Sequence, residues 1–164
     1  MKKVILILAL FLYGIANAQV FSGKGDKKFQ VGANFQEKGT GIIATFDNGL
    51  GKNMSFGLTA AYLLGIEEVL GEKPNFDDRF DVRARFSANI ADILNIEEKM
   101  DIYPGLNIGV KNFGGHFGAR YFFSEGFGIY SEVQFPIAKY DNDPVGFEKY
   151  NNQFNFSIGT SFNL

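Results

Sequence analysis

Between Arg79 and Ile90 polar and apolar residues alternate without a break. Arg79, Asp81, Arg83, Arg85, Ser87 and Asn89 fall on one side, and Phe80, Val82, Ala84, Phe86, Ala88 and Ile90 on the other. Successive strand side chains point to opposite faces, so this period of two gathers all the charge on one face of a strand. The run is about twice the usual ~5–6 residues of a soluble strand. It suits a tilted membrane-spanning strand, which needs ~9–11.

The alternation recurs along the rest of the chain. Lys28 to Gln36 sets Phe29, Val31, Ala33 and Phe35 against Lys28, Gln30, Gly32 and Asn34. After a short turn at Glu37-Lys38-Gly39, Thr40 to Asp47 is read with Ile42, Ala44 and Phe46 outward, although the adjacent Ile42 and Ile43 blur the facing. Asn48 to Asn53, with two glycines, predicts a turn. Met54 to Leu63 resumes the pattern, and Met100 to Lys111 carries Ile102, Pro104, Leu106, Ile108 and Val110 on its apolar face. Pro104 has no N–H to give a ladder, so a bulge or weakened pairing is expected there. His116 to Phe123 and Phe127 to Ile137 read as a hairpin over Ser124-Glu125-Gly126, and the chain ends on Phe154, Phe156, Ile158, Thr160, Phe162 and Leu164. Ala91 to Lys99 predicts one short helical turn.

These stretches make eight strands. Long polar loops at Leu64–Asp78 and Ala138–Asn152 both follow odd-numbered strands, so they share one end. Membrane barrels have an even strand count, short turns on the periplasmic side and longer loops outside. Alternation alone does not say which face is inside, since a lipocalin-like carrier has the same period turned inside out. The polar face carries Gly32, Gly57, Gly105, Gly109, Gly118, Gly128 and Gly159. A solvated exterior has no use for so many glycines, which weaken strands and mark close packing. A lumen of about eight strands is only wide enough for side chains to fill it. The reading is therefore all-β: an eight-stranded antiparallel up-and-down transmembrane barrel with a side-chain-filled lumen. A secreted soluble barrel carrying a hydrophobic ligand, or a narrow pore, is the alternative.

Charge refines this picture. The polar face holds Lys28, Arg79, Arg83, Arg85, Lys111 and Arg120 against Asp47, Asp81, Asp101 and Glu132. In a narrow lumen such charges persist only when paired. Arg79, Asp81, Arg83, Arg85, Asp101, Arg120 and Glu132 are the expected lumen network, with Glu132 binding Arg120 or its neighbours Arg83 and Arg85. The acids Glu67, Glu68, Glu72, Asp77 and Asp78, and Asp141 and Asp143, belong to the two long loops and keep them hydrated.

Composition sets the location and excludes several classes. Lys2 and Lys3, an apolar run from Val4 to Leu12 and Ala16-Asn17-Ala18 read as a secretory leader over residues 1–18, leaving 19–164 as the barrel domain. The chain has no cysteine, so no disulfide holds it, and its formal net charge of −2 argues against a nucleic-acid partner. The stretch YPGLNIGVKNFGGHFGARYFF from Tyr103 to Phe123, continuing through SEGFGIYSEV to Val133, resembles the small porin-like outer-membrane β-barrels of gram-negative bacteria, most without assigned activity. The resemblance implies insertion into outer-membrane lipid by the assembly machinery, which reads an amphipathic aromatic last strand; Phe154, Phe156 and Phe162 match, while the final residue is Leu164 rather than Phe.

Chemistry is thin. An enzyme site needs a His with a Ser or carboxylate partner, and the single histidine, His116, is placed at the rim with no partner in view. Asp141-Asn142-Asp143 with Gly146 and Glu148 lacks the ligands of a calcium loop at Val145 and Asn152, and Gly51-Lys52 lacks the rest of a phosphate loop. The expectation is no enzyme, no metal and no cofactor, with an extracellular partner met by the long loops.

Overall fold

The computed structural model describes residues 20–66, 73–94, 97–140 and 146–164. The leader, Glu67, Glu68, Glu72, Asp141 and Asp143 lie outside the described residues. Eight strands close into one antiparallel barrel in sequence order, β1 meeting β8. They are β1 (Lys27–Gln36), β2 (Gly39–Gly51), β3 (Met54–Ile66), β4 (Phe80–Ala88), β5 (Met100–Gly109), β6 (Asn112–Phe122), β7 (Phe127–Lys139) and β8 (Asn155–Asn163), with a short helix α1 (Phe76–Arg79) before β4. Each strand pairs on both sides, so no edge is left open.

Several boundaries differ from the pattern reading. Strand β2 runs on to Gly51, because the segment before β1 pairs with it through Gly25 N to Gly49 O and Gly49 N to Asp26 O. Strand β6 starts at Asn112 rather than His116; the pair Gly114-Gly115 hides the alternation, and the register shifts between Phe113 and Gly114. Strand β4 begins at Phe80, since Arg79 closes α1. Ala91 to Leu94 forms one hydrogen-bonded turn, with Leu94 N donating to Ile90 O, inside the stretch expected to hold a short helical turn. The β4–β5 ladder is the shortest, from Arg83–Gly109 to Ser87–Gly105, and stops one residue short of Pro104.

Polarity is inverted relative to a soluble fold. Phe46, Phe56, Leu58, Phe86, Leu106, Ile108, Phe117 and Ile129 stand exposed on the outer wall, while Lys28, Asp47, Arg83, Arg85, Asp101, Arg120 and Glu132 are buried inside. Ile42 faces out and Ile43 in. A carrier of apolar ligands would need the opposite arrangement, so the soluble-carrier alternative does not fit this interior. Aromatic rings gather at each end of the wall. Tyr121, Phe123, Phe127, Phe162 and Phe29 form successive contacts of 5.5, 6.4, 5.6 and 6.5 Å at one end. Phe76 of α1 packs between Tyr62 and Phe80, at 5.7 and 5.3 Å, near the other. No described helix is long and apolar enough to cross a membrane, which says nothing of the strands.

Candidate functional site

The lumen is built on a simple device: a glycine on one strand lets side chains from the two flanking strands meet above it. Asp47 of β2 and Arg85 of β4 both lie opposite Gly57 of β3. A Cβ on Gly57 would stand 2.2 Å from Asp47 Oδ1. Without it, Arg85 Nε comes within 3.4 Å of Asp47 Oδ1. Ser87 of β4 and His116 of β6 likewise flank Gly105 of β5. The imidazole lies across that glycine, and its Nε2 sits 2.9 Å from Ser87 Oγ. The Tyr103 ring occupies the space over Gly118 in the same way.

On this frame the charges form a ladder. Arg120 donates through Nη2 and Nε to Asp101 Oδ2, at 2.7 and 3.0 Å, directly across the β5–β6 pair. Its Nη1 lies 3.7 Å from Asp47, which Arg85 also approaches. Arg85 grips Glu132 with both Nη1 and Nη2, at 3.2 and 2.8 Å. Gln134 donates to Glu132 Oε1 at 2.6 Å and accepts from Arg83 Nη1 at 2.8 Å. Arg83 Nε meets Asp81 at 2.5 Å, and its Nη2 donates to the carbonyl of Asn151 at 2.6 Å. Direct contacts thus run from Asp101 near one mouth to Asn151 at the other. The two central guanidinium groups stack on Tyr103, at 4.6 Å for Arg120 and 5.6 Å for Arg85.

Both mouths are covered by the chain itself. At the mouth where β1 begins, Phe21 is buried beside Lys28, which donates to Asp26 and lies 5.7 Å from the Phe122 ring. Val20 N donates to Glu98 O in the β4–β5 connection. At the long-loop end, Tyr150, Asn151 and Asn152 of the β7–β8 loop are buried over the lumen. Asn112 Nδ2 donates to Asn151 O and Asn152 Oδ1, both at 3.0 Å.

Asp81, Arg83, Arg85, Asp101, Arg120 and Glu132 all sit inside the barrel, and Glu132 takes Arg85 rather than Arg120, because Asp101 lies directly opposite Arg120. Arg79 stands apart from this group. It ends α1 at the rim and donates to the carbonyls of Leu63, Leu64 and Pro74. Asp77 is exposed, and Asp78 caps α1 by accepting from Asn75 N at 2.7 Å. Lys111 also leaves the lumen: from the β5–β6 turn it donates to Asp78 O and Tyr150 O, and partial burial lowers its pKa below the usual 10.5. His116 corrects the rim placement, being 3% exposed in mid-lumen. What hid it was the missed start of β6. Pattern reading also passed over Tyr103, Gln134 and Asn151; Tyr103 was legible as a lumen-facing aromatic, whereas Asn151 lies in a loop with no period to read.

Among the described residues His116 Nδ1 has no hydrogen-bond partner and no carboxylate orients the ring, so the Ser87–His116 pair is chemically incomplete. Among the described residues no group of three His, Cys, Asp or Glu side chains is placed to hold a metal ion.

The profile of a family described as a family of unknown function, DUF6646, matches residues 11–164. No curated protein matches the chain. Among solved structures, one described as "De novo design of transmembrane beta-barrels" is similar over 87% of this chain and 98% of its own, with a TM-score of 0.54 and 10% identity. At that identity the likeness is one of fold.

Proposed function

This chain belongs to the DUF6646 family, and we propose that it is a small barrel of the gram-negative outer membrane, sealed by its own side chains, whose long loops serve a structural or partner-binding role. The observation that carries the reading is the inverted polarity: an apolar wall around a buried, charged interior. In hydrocarbon every backbone polar group must be satisfied internally, which a closed ladder achieves. Rings at both ends of the wall support girdles at the two headgroup levels. The leader pattern of residues 1–18 supports export, and outward Phe154 and Phe156 on the last strand and before it support recognition by the assembly machinery.

A ladder of contacts from Asp101 to Asn151, with both mouths covered, supports a plug rather than a pore. The same covering leaves Ser87 and His116 without access for a substrate, so we read the protein as no enzyme and as needing no cofactor. Long loops at the outer end are the surface left for an extracellular partner. Cell fractionation and planar bilayers test the whole reading. The protein should be recovered with the outer membrane and give at most small, rare conductance steps. Recovery in the soluble periplasm would overturn the location. Large, steady currents from pure protein would overturn the plug.

A further inference from the structure

Pairing sets the outward residues of β3 to β6 in two adjacent rows, Phe56–Phe86–Leu106–Gly115 and Leu58–Ala84–Ile108–Phe113. Each row has one small member. Over Gly115 the space is taken by the Phe135 ring of β7, whose Cζ would stand 2.7 Å from a Cβ there. Ala84 has no such cover. A groove of about 210 Å³ opens beside it, lined by Phe56, Phe86, Leu106, Ile108 and Phe113. Arg85 and Asn107 also border it, but both are buried, and Glu132 holds the Arg85 guanidinium inside the barrel. No charged group of the lining therefore faces the groove. It lies over the β4–β5 ladder, the shortest in the barrel.

We propose that this groove is a binding site for one acyl chain of a membrane phospholipid, seated across the β4–β5 seam. The inference rests on the membrane reading above and adds to it a fixed position for a lipid tail. Place and chemistry decide the occupant. Ala84 is the central residue of β4, so the groove lies at the depth of hydrocarbon tails rather than headgroups. Its inward-facing neighbours are spent on the lumen, and its open side chains offer contact without hydrogen bonds. An apolar chain suits that lining and a polar headgroup does not. A second copy of this protein is the rival occupant. Closed dimers are mostly twofold, which brings the same patch of each copy together. A groove would then face a groove and leave the hollow unfilled. A flexible tail follows the hollow instead, and restores the dispersion contacts that a void forfeits.

Photo-crosslinking in vesicles tests the assignment. The full chain is reconstituted in phosphatidylcholine doped with phosphatidylcholine that carries a diazirine midway along one acyl chain. After irradiation, adducts are mapped by mass spectrometry. They should fall several-fold more often on Ala84, Phe86, Leu106 and Ile108 than on Val31 and Ile158, which are exposed on the β1–β8 wall. Uniform labelling around the wall would overturn the proposal, since lipid then only wets the groove. Ala84→Leu fills the hollow and should bring labelling of β4 and β5 down to the level of Val31 and Ile158. Labelling equal to the parent's would overturn the site. Should the leucine variant fail to fold, Ala84→Val fills less of the hollow and should lower the labelling in part. Exchange of phosphatidylcholine for an anionic phospholipid should leave the pattern unchanged, and a pattern that follows the headgroup counts against a tail site. Adducts missing from β4 and β5 alone, on protein that sediments as a dimer, would give the groove to a second copy and overturn the proposal. The membrane reading fails in a different way: protein that does not float with the vesicles and is labelled nowhere overturns both.

Discussion

A buried arginine survives only where its charge is met and its donors are used, and Arg85 shows how sequence arranges that. It is 2% exposed, gripped by Glu132 through two nitrogens and flanked by Asp47 at 3.4 Å. Glu132→Gln should destabilise the barrel by about 3 kcal/mol, the lower end for a broken buried pair, because Asp47 remains close. Arg85→Met should cost more, because it strands Glu132 and leaves Asp47 only Arg120 Nη1 at 3.7 Å, and adding Glu132→Gln to it should recover part of that loss. Urea midpoints in lipid measure all three, and a double variant worse than Arg85→Met alone would refute the pairing argument. Glycine matters here for space. A Cβ on Gly105 would stand 2.4 Å from His116 Nε2, whereas Gly126 has nothing within 4 Å. Gly105→Ala should therefore cost about 1–3 kcal/mol through overpacking, and Gly126→Ala should be close to neutral in the same assay.

At the level of the strand, one residue's shift reverses what a charge does. Phe86 lies in the middle of β4 and is 43% exposed on the apolar wall, while Ser87 is buried inside against His116. Phe86→Arg should cost about 2–4 kcal/mol if it sits near the bilayer midplane. Ser87→Arg acts on packing in the lumen instead, and should disturb the His116 environment seen by NMR, which Phe86→Arg leaves alone. Equal folding and insertion of Phe86→Arg and the parent would reverse the assignment of faces. Pro104 shows the converse, a residue shaping an element by what it lacks. The β4–β5 ladder ends at Ser87–Gly105, and pairing is taken up again only by Ile90 N to Ile102 O. The missing N–H falls in that gap.

For the molecule as a whole, closure is the property that dominates. Every strand has two neighbours, so the hydrogen-bond network has no end from which to fray. Unboiled protein should then migrate differently from boiled protein on a detergent gel. Identical mobility in both lanes would argue against a closed barrel. The two covers act at this scale too. Residues 20–26 tie the start of β1 to the end of β2 and to the β4–β5 connection, while the β7–β8 loop ties the opposite mouth to β4, the β5–β6 turn and β6 through Arg83, Lys111 and Asn112.

The period-two pattern by itself determined the strand count, the order, the antiparallel closure and which face of most strands looks inward. It could do so because alternation is local: each residue's side follows from its neighbours, and polar-face glycines betray a crowded interior. Boundaries were lost where that local signal was interrupted, as at Gly114-Gly115, which hid the start of β6 and with it the true place of His116. Partners were beyond its reach for a different reason. Whether Glu132 meets Arg85 or Arg120 depends on the register of three strands and on a glycine between them, and Asp101 claims Arg120 only because β5 and β6 pair residue for residue as they do. The covers are the extreme case. Val20, Phe21 and Tyr150 to Asn152 lie in segments without period, and only the closed barrel creates the mouths into which they fold.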